Sequence, residues 1–460
     1  MSDAPYWLRT SGDDLTPRPA LGGDRDVDVA VVGAGYTGLW TAWYLLAADP
    51  SVRVLVVEAE IAGFGASGRN GAWLAPGIAV TPSELARRYG REAARATVLA
   101  MRDTVDEVAR VCAATGIDAQ LRRGGILRIA RGAHEVPALR AGRDAMAALD
   151  LADGLEVLDA AEVAARVRVR DARGALSDPY GAVVHPGRLV RGLARSVEQA
   201  GGEVVEGTRV TAVHPGEGTR RPRLTTDGGT VTADAVVVAG EAWSSQLPGR
   251  RRDVLPLYSL VVLTEPVDDA TWDEIGWADH ACLSSHRLTV DYLSRTTDGR
   301  VLFGGRGAPY HYGSRIAPAF DRHAATHGRL AEHLADWFPA LRGTAIAQAW
   351  GGPLGMPRDW LPTFRHDPST GLAAAFGYTG QGVATANLAG RVLADLLHTG
   401  DTPHRELPMV GHRSRRWEPE PLRWLGARYL QTALARADAR AERTGRPPSD
   451  RSLAARLMRH

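Results

Sequence analysis

The stretch 28–73 constrains the fold more than any other: DVAVVGAGYTGLWTAWYLL, then VRVLVVEAE, then GFGASGRNGAW. It reads as a strand, a glycine-rich turn, a helix, a second strand closing on an acid, and a second glycine-rich loop. Gly33, Gly35 and Gly38 form G-x-G-x-x-G directly after the largely apolar run 27–32. Gly33 suits the sharp turn, Gly35 lets the backbone approach a pyrophosphate, and Gly38 lets the helix pack closely on the strand. The helix opening at Tyr36 and Thr37 aims its unpaired N–H groups and positive dipole end at that pyrophosphate. Twenty residues past Gly38, Glu58 closes the second strand. A carboxylate there accepts from a ribose 2′-OH and repels a 2′-phosphate, which favours NAD or FAD over NADP.

The second loop separates NAD from FAD. GASGRNGAW, 65–73, is small and polar, and an NAD site needs no such loop. The longer FAD is cradled by one: Ala66 and Gly71 leave backbone bare, and Ser67, Arg69 and Asn70 are available for phosphates, ribityl chain and ring edge. At these residues the chain resembles the glycine/D-amino-acid oxidase (DAO) superfamily. It is most similar to the branch containing gamma-glutamylputrescine oxidase, where G-x-G-A-S-G-R-N-G-G-W recurs; Ala72 replaces the second glycine of the closing pair. The resemblance implies an α/β protein. Its parts would be a Rossmann-like FAD domain of the glutathione-reductase type, an antiparallel-sheet substrate domain and a C-terminal helical extension. The FAD domain would be discontinuous, 26–82, 178–254 and 365–400, with an extended arm over 1–25. The substrate domain would take 83–177 and 255–364, and the extension 401–460.

Composition removes alternatives. A chain of 460 residues with 44% hydrophobic content supports two or three packed units. The net charge of +2 gives no reason to invoke nucleic acid. No apolar run is long enough for a membrane span and no N-terminal leader pattern is present. Two distant cysteines, Cys112 and Cys282, make neither a disulfide framework nor a metal site, which points to a cytoplasmic protein without metal. All 55 basic residues other than histidine are arginines. Without lysine there is no Schiff-base chemistry and no Walker A loop.

Further along, 83–115 reads as one long helix capped by Ser83, 124–130 as a strand, and 134–149 and 160–167 as helices. A helix over 188–200 is followed by strands at 203–206 and 208–213, then by a buried strand, 235–239. In the resembled family, the position matching Val210 contacts adenine. Ala239, Gly240 and Trp243 sit where that family places a loop near the cofactor. The runs 255–264 and 289–305 alternate as an antiparallel wall, 323–338 is helical, and 346–354 is a strand leading past Gly352. The segment 371–382 resembles the family's last FAD element, with a helix from Val383 to His398. The amphipathic C-terminal helix is expected to cover the FAD domain, with a dimer contact as the alternative.

The resemblance also implies the chemistry. A C–H beside nitrogen gives its hydride to flavin N5, and water hydrolyses the resulting imine to a carbonyl. Backbone N–H groups around Gly380, Gln381, Gly382 and Val383, at a helix N-terminus, are placed to stabilise charge on the reduced ring. Candidate catalytic residues are Trp73, His286, Tyr292, Trp350 and Tyr378; Tyr258 and Arg306 are candidate substrate contacts. Each of these residue types is more often a packing or surface residue than a substrate contact. The carboxylate-binding arginine of amino-acid oxidases is missing from the stretch 350–357, which argues against a simple α-amino acid. The cysteine and lysine of sarcosine oxidases are missing too, which implies noncovalent FAD. The substrate expected is a small amine bearing a distant acid, held by Arg295, Arg306 or Arg315. O2 is the expected acceptor; the alternative is an amino-acid oxidase, or a dehydrogenase using a non-O2 acceptor, with the carboxylate held by a different arginine. The chain is expected to be a monomer or homodimer.

Overall fold

The structure, a computed structural model, describes residues 5–306, 310–449 and 451–458, with the side chains of Arg306 and Met458 excepted. Its first sheet gathers strands from three distant parts of the chain. Arg25–Val32 is central, parallel to Val54–Val57 on one side and Thr230–Val238 on the other. Glu203–Val205 extends the first side and Leu372–Phe376 the second, both parallel. Thr363–Asp367 closes that edge antiparallel. Val210–His214 and Arg223–Thr226 form a hairpin against Thr230–Val238.

Alternation decides what each face buries. Val29, Val31, Val54 and Val56 pack with the helices Tyr36–Ala48, Pro186–Gln199 and Gly382–His398. Ala30, Leu55, Val57 and Val236 point the other way, onto Leu224 of the hairpin. Both faces are covered, so Val54–Val57 is buried throughout, as a central parallel strand requires. The first and last of these helices touch where Gly390 meets Trp40; a Cβ at Gly390 would lie 2.5 Å from Trp40 Cβ.

The second sheet runs Ile346–Met356, Leu255–Thr264, Val301–Arg306, Asp291–Arg295, Cys282–Ser284, Ile126–Ala130, Gly174–Asp178, Glu156–Asp159. Only Cys282–Ser284 and Ile126–Ala130 pair in parallel. Helix Ala324–Trp337 packs Leu330, Leu334 and Trp337 against Tyr258, Leu260 and Phe303. The architecture is thus the expected mixed α/β one with a helical C-terminal region. Among the described residues no helix is long and apolar enough to cross a membrane.

Three local readings change. The expected helix 83–115 is two helices, Pro82–Tyr89 and Arg91–Thr115, broken at Gly90, whose φ is +89°. Its cap is Thr81, which accepts from Glu84 N at 3.3 Å, with Pro82 at the first helical position, not Ser83. The N-terminal arm is not simply extended: Tyr6–Arg9 is a helical turn, and Tyr6, Trp7 and Leu8 are buried. The C-terminal helix Leu422–Thr444 lies against the second sheet's side of the molecule, not the FAD-type sheet. Asp438 there accepts from the backbone N–H groups of Leu288 and Thr289, both at 2.9 Å. Trp417 and Trp424, before and within that helix, pack with Tyr310 and Met356.

Gly38 offers the sharpest test of the packing. A Cβ there would lie 2.0 Å from Gly33 O and 3.0 Å from Val31 Cγ1. We expect G38A to lose about 1–3 kcal/mol of stability, read as a lowered urea midpoint. An unchanged midpoint would show that helix and turn can separate freely.

Candidate active site

Strand Arg25–Val32 delivers the chain into Gly33, whose φ of +103° turns it sharply. Gly33 N donates to Val57 O at 2.8 Å, tying the turn to the next strand. Ala34 N and Glu60 N both donate to the Glu58 carboxylate, at 2.8 and 3.0 Å. Burial raises the Glu58 carboxyl above its ordinary value, and these two donors oppose the rise. Gly35 faces the second loop: Ser67 Oγ accepts from Tyr36 N at 2.9 Å, and a Cβ on Gly35 would approach it to 3.1 Å.

The second loop is held by its carbonyls, each taken by a different partner. Trp350 Nε1 donates to Arg69 O at 3.0 Å, and Trp7 Nε1 donates to Asn70 O at 2.8 Å. Ser294 Oγ donates to Gly71 O at 3.0 Å, and Val184 N to Ala72 O at 2.9 Å. Asn70 closes on its own loop, donating to Ser67 O at 3.0 Å and accepting from Ala72 N at 2.9 Å. The Arg69 guanidinium is committed to Phe64 O, Gly351 O and Asp321. It is therefore not available for phosphates; its stem lies against Gly352.

These loops enclose a cavity of about 600 Å³. The first sheet presents Gly33, Gly35, Thr37, Glu58 and Val210 to it; the second loop presents Ala66, Ser67 and Asn70. The exit of Thr230–Val238 adds Ala239, Gly240 and Trp243, and the last helix adds Gly380, Gly382 and Val383. Tyr36 also lines it. The remaining cofactor candidates stand behind this wall. Gly38 lies under Gly33, Gly71 makes room for the Tyr292 ring, and Gln381 is the N-cap of the last helix.

The wall suits FAD. Neither Gly35 nor Gln381 caps its helix with its own side chain; Ser67 Oγ takes Tyr36 N, which leaves the other N–H groups of that first turn and the N-terminus of Gly382–His398 for an anion. Ser244 Oγ lines the cavity and is buried with no hydrogen-bond partner among the described residues. Glu58 lines the cavity with a carboxylate that could accept from a ribose hydroxyl. The residues fit FAD's pyrophosphate, ribose and chain, and no metal cluster is present among the described residues.

The ring-side candidates divide. Tyr378 lines the cavity, and its hydroxyl bonds Thr37 Oγ1 at 2.7 Å, joining the last loop to the first helix. Trp73, Tyr258, His286, Tyr292 and Trp350 do not line the cavity. Trp73 Nε1 donates to Leu293 O, and Trp350 is only 4% exposed behind Arg69. Tyr292 sits between Gly71 and Gly304, its hydroxyl 3.1 Å from Ser259 Oγ. Tyr258 is fully buried, with its hydroxyl on the Ala317 backbone. Burial, with Arg128 nearby, pulls the His286 imidazole down to about 4. Packing and these bonds hold Trp73, Tyr258, Tyr292 and Trp350, while His286 Nε2 has no hydrogen-bond partner among the described residues. The Arg306 side chain lies outside the described residues.

The structure adds Glu241, which follows Gly240 directly and lines the cavity. It accepts from Tyr378 N at 3.1 Å and Gly377 N at 3.3 Å, and a Cβ on Gly355 would lie 2.1 Å from its Oε2. The only sequence signal is an acid at a strand exit. Burial pushes its carboxyl up to about 7 against those backbone donors.

A folded-state value above the ordinary 4.5 fixes the sign. The carboxyl's stabilising contribution is complete below that ordinary value and fades as pH rises through about 7. E241Q keeps an acceptor but cannot ionise. Thermal melts of the apoprotein are expected to favour E241Q increasingly between about pH 5 and about pH 8. A constant difference would mean the carboxyl titrates normally.

The family description DAO, FAD dependent oxidoreductase, matches residues 28–396. Gamma-glutamylputrescine oxidoreductase of Escherichia coli (strain K12) is 30% identical over 92% of this chain and 96% of its own. The solved glycine oxidase of Geobacillus kaustophilus superposes with a TM-score of 0.68 at 23% identity, covering 85% of this chain and 100% of that one. L-proline dehydrogenase from P. horikoshii gives a TM-score of 0.68 at 18% identity, covering 84% and 98%. The match over most of the chain, together with a cavity that suits the cofactor, means that this chain belongs to the DAO family of FAD-dependent oxidoreductases.

Proposed function

We propose that the chain oxidises the C–N bond of a small amine, using noncovalently held FAD, with O2 as the acceptor. Bound FAD supplies the hydride acceptor. The chain's own part is orientation and charge: the N-terminus of Gly382–His398 would serve the ring end of the cofactor, and Glu58 and the first glycine turn would hold the other end. Noncovalent attachment is supported by the cysteines, both buried and neither on the cavity wall.

The observation that carries the amine reading is the second sheet's contribution to the cavity. Among the described residues it presents Pro353 and Leu354 there, and no guanidinium. Arg358 bonds Glu418 at 3.2 Å, and Arg69 is held by Asp321. A substrate α-carboxylate would find no arginine on that wall. For an acid farther along the substrate, Arg295 is committed to Trp277 O and stacks over Trp272. Arg315 is exposed and adjoins Ile316, which lines the cavity, so we assign the distant acid to Arg315. The E. coli relative is named for gamma-glutamylputrescine, an amine that bears a distant acid, which supports this reading.

Two outcomes are expected. Acid precipitation should release the yellow chromophore into the supernatant; colour retained on the protein would mean a covalent link. Anaerobic addition of acid-bearing amines should bleach the flavin while α-amino acids leave it oxidised. Bleaching by α-amino acids alone would move the enzyme to the amino-acid class, and lack of H2O2 in air would make it a dehydrogenase.

A further inference from the structure

The family match ends at residue 396, yet the chain continues into a segment that is tied to the cavity wall by hydrogen bonds. Glu420, just before helix Leu422–Thr444, accepts from Tyr310 Oη at 2.6 Å and from Gly313 N at 2.9 Å. Arg423 donates to the same carboxylate at 3.1 Å and to Arg251 O at 3.0 Å. Tyr310 Oη accepts in turn from Ser314 N at 2.9 Å. Ser314 O accepts from Gln246 Nε2 at 2.8 Å. Gln246 lines the cofactor cavity, and so does Ile316, two residues past Ser314. Tyr310, Ser314 and Arg423 are each at most 3% exposed. A continuous chain of hydrogen bonds, buried at Tyr310 and Ser314 and ending on the exposed Gln246, therefore runs from the C-terminal segment to the cavity wall.

We infer that Glu420 is a positioning residue of the FAD site: from outside the family's matched region it fixes the segment 310–316 and, through Ser314 and Gln246, one wall of the cofactor cavity. The chemistry favours a carboxylate. Three neutral donors, Tyr310 Oη, Gly313 N and Trp424 N, and one guanidinium converge on it. Burial disfavours its charge, but the donors from Tyr310, Gly313, Trp424 and Arg423 outweigh this and hold the carboxyl below its usual range. Without that acceptor, Tyr310 Oη and Gly313 N are left without their partner, and the segment loses its fixed register against Gln246.

Asp438 gives the internal control. It anchors the same C-terminal helix, but to Leu288 and Thr289, whose backbone does not line the cavity. The experiment compares E420A, E420Q, Y310F and D438N as holoproteins. It reads FAD dissociation constant, flavin fluorescence and visible spectrum, and melting temperature. E420A is expected to weaken FAD by about 10-fold or more and to shift the flavin spectrum. E420Q, which still accepts from Tyr310 and Gly313, should restore most of both. D438N should lower the melting temperature with FAD affinity and spectrum unchanged. Y310F removes one hydroxyl and should move FAD affinity in the same direction as E420A, which keeps the test intact if E420A does not fold. Wild-type FAD affinity and spectrum in Y310F or E420A would overturn the inference, as would equal weakening of FAD by D438N. FAD binding is read directly, so the result stands whichever substrate the enzyme takes.

Discussion

The rest of the site depends on how the backbone carbonyls of residues 69–72 are satisfied. This loop crosses between two sheets and belongs to neither, so no ladder of strand hydrogen bonds can serve it. Buried carbonyls without partners are costly. The partners come instead from three regions: Trp7 near the N-terminus, Val184 before helix Pro186–Gln199, and Ser294 and Trp350 in the second sheet. Each bond is modest alone. Together they set the loop's height above the first glycine turn, and so the distance between Ser67 and Gly35. The Arg69–Asp321 pair adds charge to the same seam.

The first half of the site was legible because it is local. Strand, turn, helix and acid fall within 28–58, and each glycine answers a steric demand that spacing alone reveals. The aromatic candidates were not legible in the same way. Trp73 and Trp350 stand beside glycine-rich loops, which suggested a channel wall. Their indole nitrogens go to carbonyls 220 and 281 positions away, a pairing that no local pattern announces. Glu241 was passed over because an acid after a strand ordinarily faces water; here the loop from Gly377 to Tyr378 folds back over it. The break at Gly90 was visible as a glycine, but arginines on both sides kept the helical pattern apparently continuous.

Burial of charge follows one rule through the molecule: a carboxylate stays inside only where several donors meet it. Glu206 is wholly buried and takes Arg18, Arg191 and the N–H of Ala62. That cluster fastens the N-terminal segment to the entry of the second loop. Removing one partner from such a cluster typically costs about 3–5 kcal/mol. Glu58 and Glu241 are met by backbone donors alone, and the raised carboxyl of each reflects that poorer company.

The bond between Thr37 and Tyr378 spans 341 positions, and Trp40 beds against Gly390. The first glycine turn leaves the ribosome early, but its lid arrives only after most of the chain has been made. A nascent chain therefore carries an open half-cavity, with the apolar side of helix Tyr36–Ala48 uncovered, for most of its synthesis. Cofactor capture is then a closing event of biogenesis, and shortened products should be recognised by chaperones and proteases as unfinished.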